Sequence, residues 1–347
     1  MPYVSHNRLQ PPVGHWGGHW QTIIPSTFRQ VTDITYVRER IDTPDGDFLL
    51  LDWAYRSDAA GAMRAYAPET QHAALRPAAR ITHPFPASRL AIVAHGLEGD
   101  SGRPYVKGMA KALNAAGWDV LAWNCRGCGG EPNNLRSSYH IGSSHDLRTV
   151  VNHVLTTCSY AQLALVGFSG GGNMSLKYAG EEGSRLPSAI RGIVTFSVPL
   201  DLDAVANHFM RPANKLYDQR FLRTLIAKLR HKATQHDIDL SHLPKIRTMR
   251  QYDEYYGGPL HGFRNADDYY RQAASQYFLR DITVPTLIVN ALNDPFLPAP
   301  CYTPAHAEHL PNVWLEVPQQ GGHCGFAERG GRYWSERRAV DFLTELV

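Results

Sequence analysis

Short apolar runs alternate with segments of helical periodicity along most of the chain from residue 90 onward. Strands are predicted at the apolar runs, over residues 90–94, 118–123, 163–167, 190–197, 285–290 and 313–317. Helices are predicted over 104–116 and 143–157, directly after Ser169, and from Tyr333 onward. Short apolar strands that alternate with helices indicate an α/β fold, with a largely parallel sheet and helices on both faces.

The chain before residue 90 follows different patterns. Strands over 35–40 and 48–53 flank the turn signal Pro44-Asp45-Gly46, which predicts a hairpin. Residues 1–30 are rich in His, Pro, Gly and Trp, and we expect an irregular N-terminal arm that lies on the domain. Residues 57–88 are rich in Ala and Pro and show little periodicity, which is typical of a surface excursion.

Residues 200–280 interrupt the alternation with a long, mostly helical insertion between two core strands. We expect this insertion to cover the carboxyl ends of the strands as a cap. Within it, residues 221–230 carry apolar side chains at helical spacing and basic ones opposite. A helix packed onto the domain is the favoured interpretation, and a helix on a membrane surface is the alternative. The prediction is one α/β-hydrolase domain over residues 1–347 with a helical cap.

Composition narrows the classes of function. A chain of 347 residues with 43% hydrophobic residues can bury a large core. The net charge is only +3 and the basic residues are scattered, which argues against a nucleic-acid partner. Five cysteines are an odd number in a long chain, so we expect no disulfide framework. Neither a leader nor an apolar run of ~18 residues is found, so a cytoplasmic protein without a transmembrane segment is expected.

An apolar run leads directly into Gly167-Phe168-Ser169-Gly170-Gly171, a G-x-S-x-G motif. A strand, this motif and a helix, in that order, form the nucleophile elbow of serine hydrolases. The turn is so tight that it needs glycine two residues before and two residues after the serine. The context therefore favours Ser169 as a nucleophile over a serine in an ordinary glycine-rich turn.

A serine hydroxyl becomes a strong nucleophile when an imidazole takes its proton and a carboxylate orients that imidazole. In α/β-hydrolases the acid and then the histidine follow the serine along the chain. Asp294 follows the predicted strand 285–290 and is the favoured acid, while Asp201, after the strand 190–197, is the alternative. His323 directly follows the last strand, between glycines, and is the expected base.

An oxyanion hole requires two N–H donors aimed at the developing negative oxygen. One is expected from Gly170, directly after the serine, and the other from Leu97 in the loop after the strand 90–94. This chemistry needs no metal or cofactor. Cys125 and Cys128 form a C-x-x-C pattern, but no second cysteine pair completes a zinc site.

Several short motifs, taken together, are similar to those of the YheT-like branch of the α/β-hydrolase superfamily, the bacterial relatives of eukaryotic α/β-hydrolase-domain lipases. The motifs are Gly18-His19-Trp20-Gln21-Thr22, Asp45-Gly46-Asp47-Phe48, Leu51-Asp52-Trp53, His95-Gly96-Leu97-Glu98-Gly99, residues 124–132, Tyr139-His140, residues 167–173, Asn293-Asp294-Pro295 and Gly322-His323. The chain departs from this family in the long segment 57–88 and in lacking the N-terminal membrane-anchoring helix of the eukaryotic relatives.

The resemblance implies hydrolysis of short-chain acyl esters or acylglycerols, with Ser169, Asp294 and His323 as the triad. It also implies that residues 124–132 and His140 support the site without reacting. The expected partner is a small-molecule ester, with transient membrane contact through the cap. Two alternatives stay open: an acyltransferase that uses an alcohol other than water, and a ligand-binding module with a vestigial triad.

Overall fold

Nine strands form one sheet in the computed structural model, which describes residues 3–4, 9–56, 89–302 and 310–346. The strands are β1 (Tyr3–Val4), β2 (Val37–Asp42), β3 (Phe48–Ala54), β4 (Arg89–Ala94), β5 (Asp119–Asn124), β6 (Gln162–Phe168), β7 (Ile190–Phe196), β8 (Thr286–Val289) and β9 (Val313–Glu316). Their order across the sheet is β1-β9-β8-β7-β6-β4-β5-β3-β2. The surface excursion predicted over 57–88 lies outside the described residues.

In the part of the sheet with the order β1-β9-β8-β7-β6-β4-β5, each strand pairs in parallel with its neighbours. The predicted hairpin of β2 and β3 extends the sheet with two antiparallel pairings. Every residue of β5 and β8 is buried, because strands covered on both faces bury both sets of side chains. The predicted α/β class with a mostly parallel sheet is confirmed.

Helices cover both faces of this sheet. They are α1 (Gly17–Phe28), α2 (Pro104–Ala115), α3 (Ser144–Thr157), α4 (Gly170–Glu182), α5 (Leu202–Phe209), α6 (Lys215–Ala233), α7 (Met249–Tyr252), α8 (Ala266–Ala273) and α9 (Trp334–Thr344). Apolar side chains of α3 and α4 join the core on one face, and those of α2 and α9 join the core on the other. Because the strands are parallel, their carboxyl ends lie at one edge of the sheet, between the two layers of helices.

The chain between β7 and β8 contains α5 to α8, and we call residues 201–281 the cap segment. Its helices begin at recognisable caps: the Asp201 carboxylate accepts the Ala204 N–H at 3.0 Å, and Asn265 accepts the Asp268 N–H at 2.9 Å. Leu222, among other apolar residues of the segment, forms a small core that is separate from the two cores of the sheet.

The N-terminal segment differs from the sequence prediction. Residues 1–30 were expected to form an irregular arm, but residues 17–28 form α1. This helix begins with two glycines, contains Pro25 and carries no charged residue, so its intrinsic helix propensity is low. Gln21, Thr22 and Pro25 are buried, and tertiary packing rather than local propensity stabilises the helix.

Candidate active site

Ser169 occupies the sharp turn between β6 and α4, with φ 53° and ψ −120°. Its N–H donates to the Phe196 carbonyl at 2.8 Å, which holds the turn against β7. A Cβ on Gly167 would lie 2.5 Å from Gly172 Cα, and one on Gly171 would lie 2.5 Å from the Ala94 carbonyl. Side chains at 167 and 171 are therefore sterically excluded, as the motif predicts.

His323 lies directly beside this serine. Its Nε2 is 3.0 Å from Ser169 Oγ, and its Nδ1 is 2.9 Å from Asp294 Oδ2. The ring also packs on Phe296, with 4.1 Å between ring centroids. The structure thus brings the three sequence-predicted side chains into one continuous hydrogen-bonded chain, although they lie far apart in the sequence.

Asp294 follows β8 in a turn in which its N–H donates to the Ala291 carbonyl and its Oδ1 accepts the Phe296 N–H at 2.8 Å. Its side chain is fully buried. The alternative acid, Asp201, instead uses its carboxylate to cap α5. Of the two candidates, Asp294 is the one in contact with the imidazole.

The Asp294 carboxylate changes the acidity of the imidazole. Burial by itself lowers the pKa of His323, but the adjacent carboxylate outweighs burial and the pKa of His323 lies above the ordinary histidine value. The acceptor at Nδ1 also places the ring proton there in the neutral form. Nε2 is then free to accept a proton from Ser169.

The loop after β4 lies against the serine turn. A Cβ on Gly170 would be 3.6 Å from Leu97 N, so the two predicted oxyanion donors are adjacent. The His95 ring supports this loop, since its Nε2 accepts the Cys125 N–H at 3.1 Å and its Nδ1 donates to the Gly96 carbonyl at 2.7 Å. Burial lowers the pKa of His95 to about 4, so the ring is neutral at pH 7.

Glu98, the next residue of this loop, adopts a left-handed conformation with φ 54° that is costly for a residue with a Cβ. Several contacts hold it there. Its N–H donates to the Tyr139 hydroxyl at 2.6 Å, Arg103 Nη2 donates to its carbonyl at 2.8 Å, and Lys228 Nζ of α6 lies 2.9 Å from its Oε1. The last of these is an ion pair that joins the cap segment to the loop after β4.

The loops that carry Asp294 and His323 meet on α1. Gln21 is 2% exposed and its amide contacts both loops. Its Oε1 accepts the Asn293 Nδ2–H at 3.0 Å and the Gly321 N–H at 2.8 Å, while its Nε2 donates to Gln320 Oε1 at 2.6 Å. One uncharged side chain therefore connects the residue before Asp294 with residues just before His323.

Thr22 completes this support, because its Oγ1 accepts the His323 N–H at 2.8 Å. The helix also packs too closely for larger residues, since a Cβ on Gly18 would overlap the Asn293 carbonyl and one on Gly325 would overlap the Gln21 carbonyl. Sequence reasoning assigned no role to Gln21 or Thr22. The Gly18-His19-Trp20-Gln21-Thr22 motif was the available signal.

The cysteines and His140 occupy supporting positions. Cys125 and Cys128 are buried free thiols, and burial raises the pKa of Cys128 to about 11 and that of Cys125 well above its usual range. Among the described residues, no group of three or more His, Cys, Asp or Glu is arranged to hold a metal ion.

His140 Nδ1 accepts the Gly142 N–H at 3.1 Å and so shapes the loop that carries Ile141.

A cavity of about 280 Å³ opens from Ser169 and His323 between the sheet edge and the cap segment. Its lining is mostly apolar and includes Ile141, Leu202, Phe209, Phe221 and Phe296. Ligand sites are typically apolar clefts with a few polar groups, which matches this lining. In the described part of the chain, no helix is both long and apolar enough to cross a membrane.

Comparison with known proteins agrees with the geometry. Residues 92–330 match the family described as alpha/beta hydrolase fold. The chain is 32% identical to the protein of Escherichia coli (strain K12) named "Putative esterase YheT", over 99% of this chain and 95% of that one. It is 28% identical to human "Phospholipase ABHD3", over 92% of this chain and 73% of that one.

A solved structure of the Pyrococcus furiosus esterase Pf2001 has the same fold, with a TM-score of 0.58 and 15% sequence identity over 99% of each chain.

Proposed function

The chain is an esterase- or lipase-type member of the α/β-hydrolase family, in its YheT-like branch, and we propose that it hydrolyses carboxylic esters through Ser169, His323 and Asp294. The observation that carries this proposal is the hydrogen-bonded chain from Ser169 Oγ through His323 to Asp294, with links of 3.0 and 2.9 Å. Both links are within the range for proton transfer and for orientation of the base.

In the first step His323 Nε2 takes the hydroxyl proton as Ser169 Oγ attacks the ester carbonyl carbon. The carbonyl oxygen becomes an anion, and the N–H groups of Leu97 and Gly170 bind it. His323 then donates the proton to the leaving alcohol, and an acyl group remains on Ser169. Asp294 stabilises the imidazolium that forms between these two proton transfers.

In the second step a water molecule gives a proton to His323 and attacks the acyl carbon. The same oxyanion donors act again, and the proton returns to Ser169 Oγ as the acid leaves. Every proton moves through the imidazole of His323, so this one base is sufficient for both steps.

The cavity supports short acyl esters or acylglycerols as the substrate class. Its volume is about 280 Å³, and its lining near Ser169 is apolar. An acyl chain that leaves water for such a lining gains roughly 0.8 kcal/mol per buried methylene group. The names of the relatives, an esterase and a phospholipase, are consistent with substrates that carry such chains.

The test is turnover of p-nitrophenyl acetate and butyrate by the purified Ser169→Ala variant. We expect a loss of at least about 10⁴-fold in kcat, since the residual rate comes from binding and the oxyanion donors alone. Ser26→Ala is the matched control, because Ser26 also lines the cavity but donates to the Ile23 carbonyl. Turnover by Ser169→Ala equal to that of the wild type would rule out the proposal.

A fluorophosphonate probe separates the enzyme from a vestigial binding module. We expect the probe to label the wild type at Ser169 and to leave Ser169→Ala unlabelled. An unlabelled wild type that still binds esters would favour the binding module. Product analysis with a competing alcohol then identifies the acyl acceptor, because an acyl-enzyme that prefers the alcohol yields a new ester instead of an acid.

A further inference from the structure

The outer face of α1 exposes several large apolar side chains beside His19, Ser26 and Thr27, and the helix contains no Asp, Glu, Lys or Arg. Gln21, Thr22 and Pro25 occupy the buried face. On the opposite side Trp20 is 51% and Ile23 37% exposed, and Trp16, directly before the helix, is 77% exposed. Phe28 at the end of the helix is 73% exposed. A surface helix normally presents charged side chains to water, so this face is unusual for a helix that remains in water.

The cap segment continues this apolar surface. Met210 is 47% and Leu216 83% exposed, and Leu216 directly precedes Tyr217. The Tyr217 hydroxyl lies 3.1 Å from His19 Nδ1, and the two rings stack. This contact places the beginning of α6 against α1. Ile23 of α1 and Arg220 of α6 are exposed and line the cavity, so the cavity opens between these two helices.

The exposed charges of the cap segment between residues 210 and 232 have one sign. Arg211, Lys215 and Arg220 are exposed. Between residues 210 and 232 the one acidic residue in the sequence is Asp218, which is buried and accepts the Met249 N–H at 3.0 Å. Exposed aromatic residues beside basic side chains match the interface of a membrane whose surface is negative.

We propose that this face, which we call the mouth face, docks on the surface of an anionic lipid bilayer. The mouth face comprises Trp16, Trp20, Ile23, Phe28, Met210, Leu216, Arg211, Lys215 and Arg220. The inference rests on the proposed ester hydrolysis for its purpose, because a docked molecule would open its cavity toward ester substrates held in the bilayer. The docking itself is a property of the surface and can be measured without catalysis.

The first experiment measures binding with full-length Ser169→Ala protein, so that no lipid is consumed. Vesicles of phosphatidylcholine, with or without phosphatidylglycerol, are sedimented with the protein. We expect binding to the anionic vesicles and about a tenfold weaker partition coefficient for Trp16→Ser/Trp20→Ser, which loses two exposed apolar side chains. The control is Leu155→Ser, since Leu155 is 39% exposed on α3 and does not line the cavity.

The second experiment tests the charges. In Arg211→Gln/Lys215→Gln we expect binding to anionic vesicles to weaken about fivefold for each charge removed, and binding to phosphatidylcholine alone to stay unchanged. Added salt should weaken wild-type binding more than binding by this variant. These side chains are exposed, so the variant keeps the proposal testable even if the tryptophan variant does not fold.

Hydrolysis by proteins with Ser169 intact separates docking from catalysis. Trp16→Ser/Trp20→Ser should retain turnover of soluble p-nitrophenyl butyrate and lose turnover of a diacylglycerol presented in anionic vesicles. If neither substrate is hydrolysed by the wild type while vesicle binding persists, the proposed function fails and the docking stands. The docking proposal is overturned if the wild type does not bind vesicles or if Leu155→Ser weakens binding equally. It is also overturned if the mouth face instead joins two copies of the chain, so that the tryptophan variant dissociates a dimer and still binds vesicles as the wild type does.

Discussion

The two sides of Ser169 are supported by different parts of the chain and by different forces. On the side of the acid and base, Gln21 and Thr22 of α1 hold the loops through buried, uncharged hydrogen bonds. On the oxyanion side, Lys228 of α6 holds Glu98 through an ion pair. The first support resists salt and changes in pH, whereas the second depends on charge and on how the cap segment is seated.

Burial explains why these supports differ in strength. Gln21 is 2% exposed and both ends of its amide have partners, so its loss leaves several buried groups unpaired. The Lys228 side chain is 29% exposed while that of Glu98 is 4% exposed. Water and salt therefore reach one end of the ion pair and weaken it.

The largest expected effect is on the side of the acid and base. Asp294→Asn should lower kcat about 10⁴-fold, because the imidazole loses its orientation and the stabilisation of its cation. The carboxylate raises the pKa of His323, so its removal lowers that pKa and should move the acidic limb of the pH–kcat/KM profile to lower pH. An unchanged limb would contradict the role given to Asp294.

A smaller loss is expected when the support of the loops is removed without touching the reacting groups. Gln21→Ala should lower kcat about 10²-fold through misplacement of His323, with a lesser effect on KM. Thr27→Ala is the control, because Thr27 is exposed on the same helix. A variant with normal kcat and a lowered melting temperature would show that Gln21 contributes only to stability.

On the oxyanion side the expected loss is smaller again. Lys228→Met should lower kcat about tenfold, less than the roughly 10²–10³ for deleting an oxyanion donor outright, since the Leu97 N–H is still present. Lys228→Arg should recover part of the loss. A double-mutant cycle with Glu98→Gln tests the link, because fully additive losses would mean that Lys228 does not act through Glu98.

The smallest effect concerns the stability of the cap segment. Burial raises the pKa of Asp253 to about 7, although hydrogen bonding to Tyr270 opposes the shift. Folded protein then binds more protons than unfolded protein between about pH 4 and pH 7, so stability falls as pH rises through this window. Asp253→Asn should raise the melting temperature more at about pH 8 than at about pH 4. An equal change at both pH values would contradict this expectation.

The sequence predicted the central features of the site for a reason that lies in the fold. Ser169, Asp294 and His323 each follow a parallel strand, and the carboxyl ends of such strands share one edge. The same geometry places Gly170 and Leu97, the proposed oxyanion donors, at this edge. Each of these residues has a local signal, since an apolar run marks the strand before it.

The contacts that support either side of Ser169 could not be predicted from local sequence, although Gln21 and Glu98 both lie in motifs that carry the family resemblance. Gln21 contacts Gly321 across 300 positions of the chain, and α1 has a composition that does not predict a helix. Lys228 lies on a helix whose pattern of apolar and basic residues fits simple packing, and its partner Glu98 is 130 positions away. Contacts at this distance follow from the assembled sheet and cap segment rather than from any stretch of the sequence.

The hydrogen bond between Gln21 and Gly321 has a consequence for biosynthesis. Gln21 is translated 300 positions before Gly321, so a ribosome completes α1 long before the loop that α1 must hold. The nascent chain therefore lacks this support until that loop has left the ribosome, and recovery of activity on refolding should be the last signal to appear.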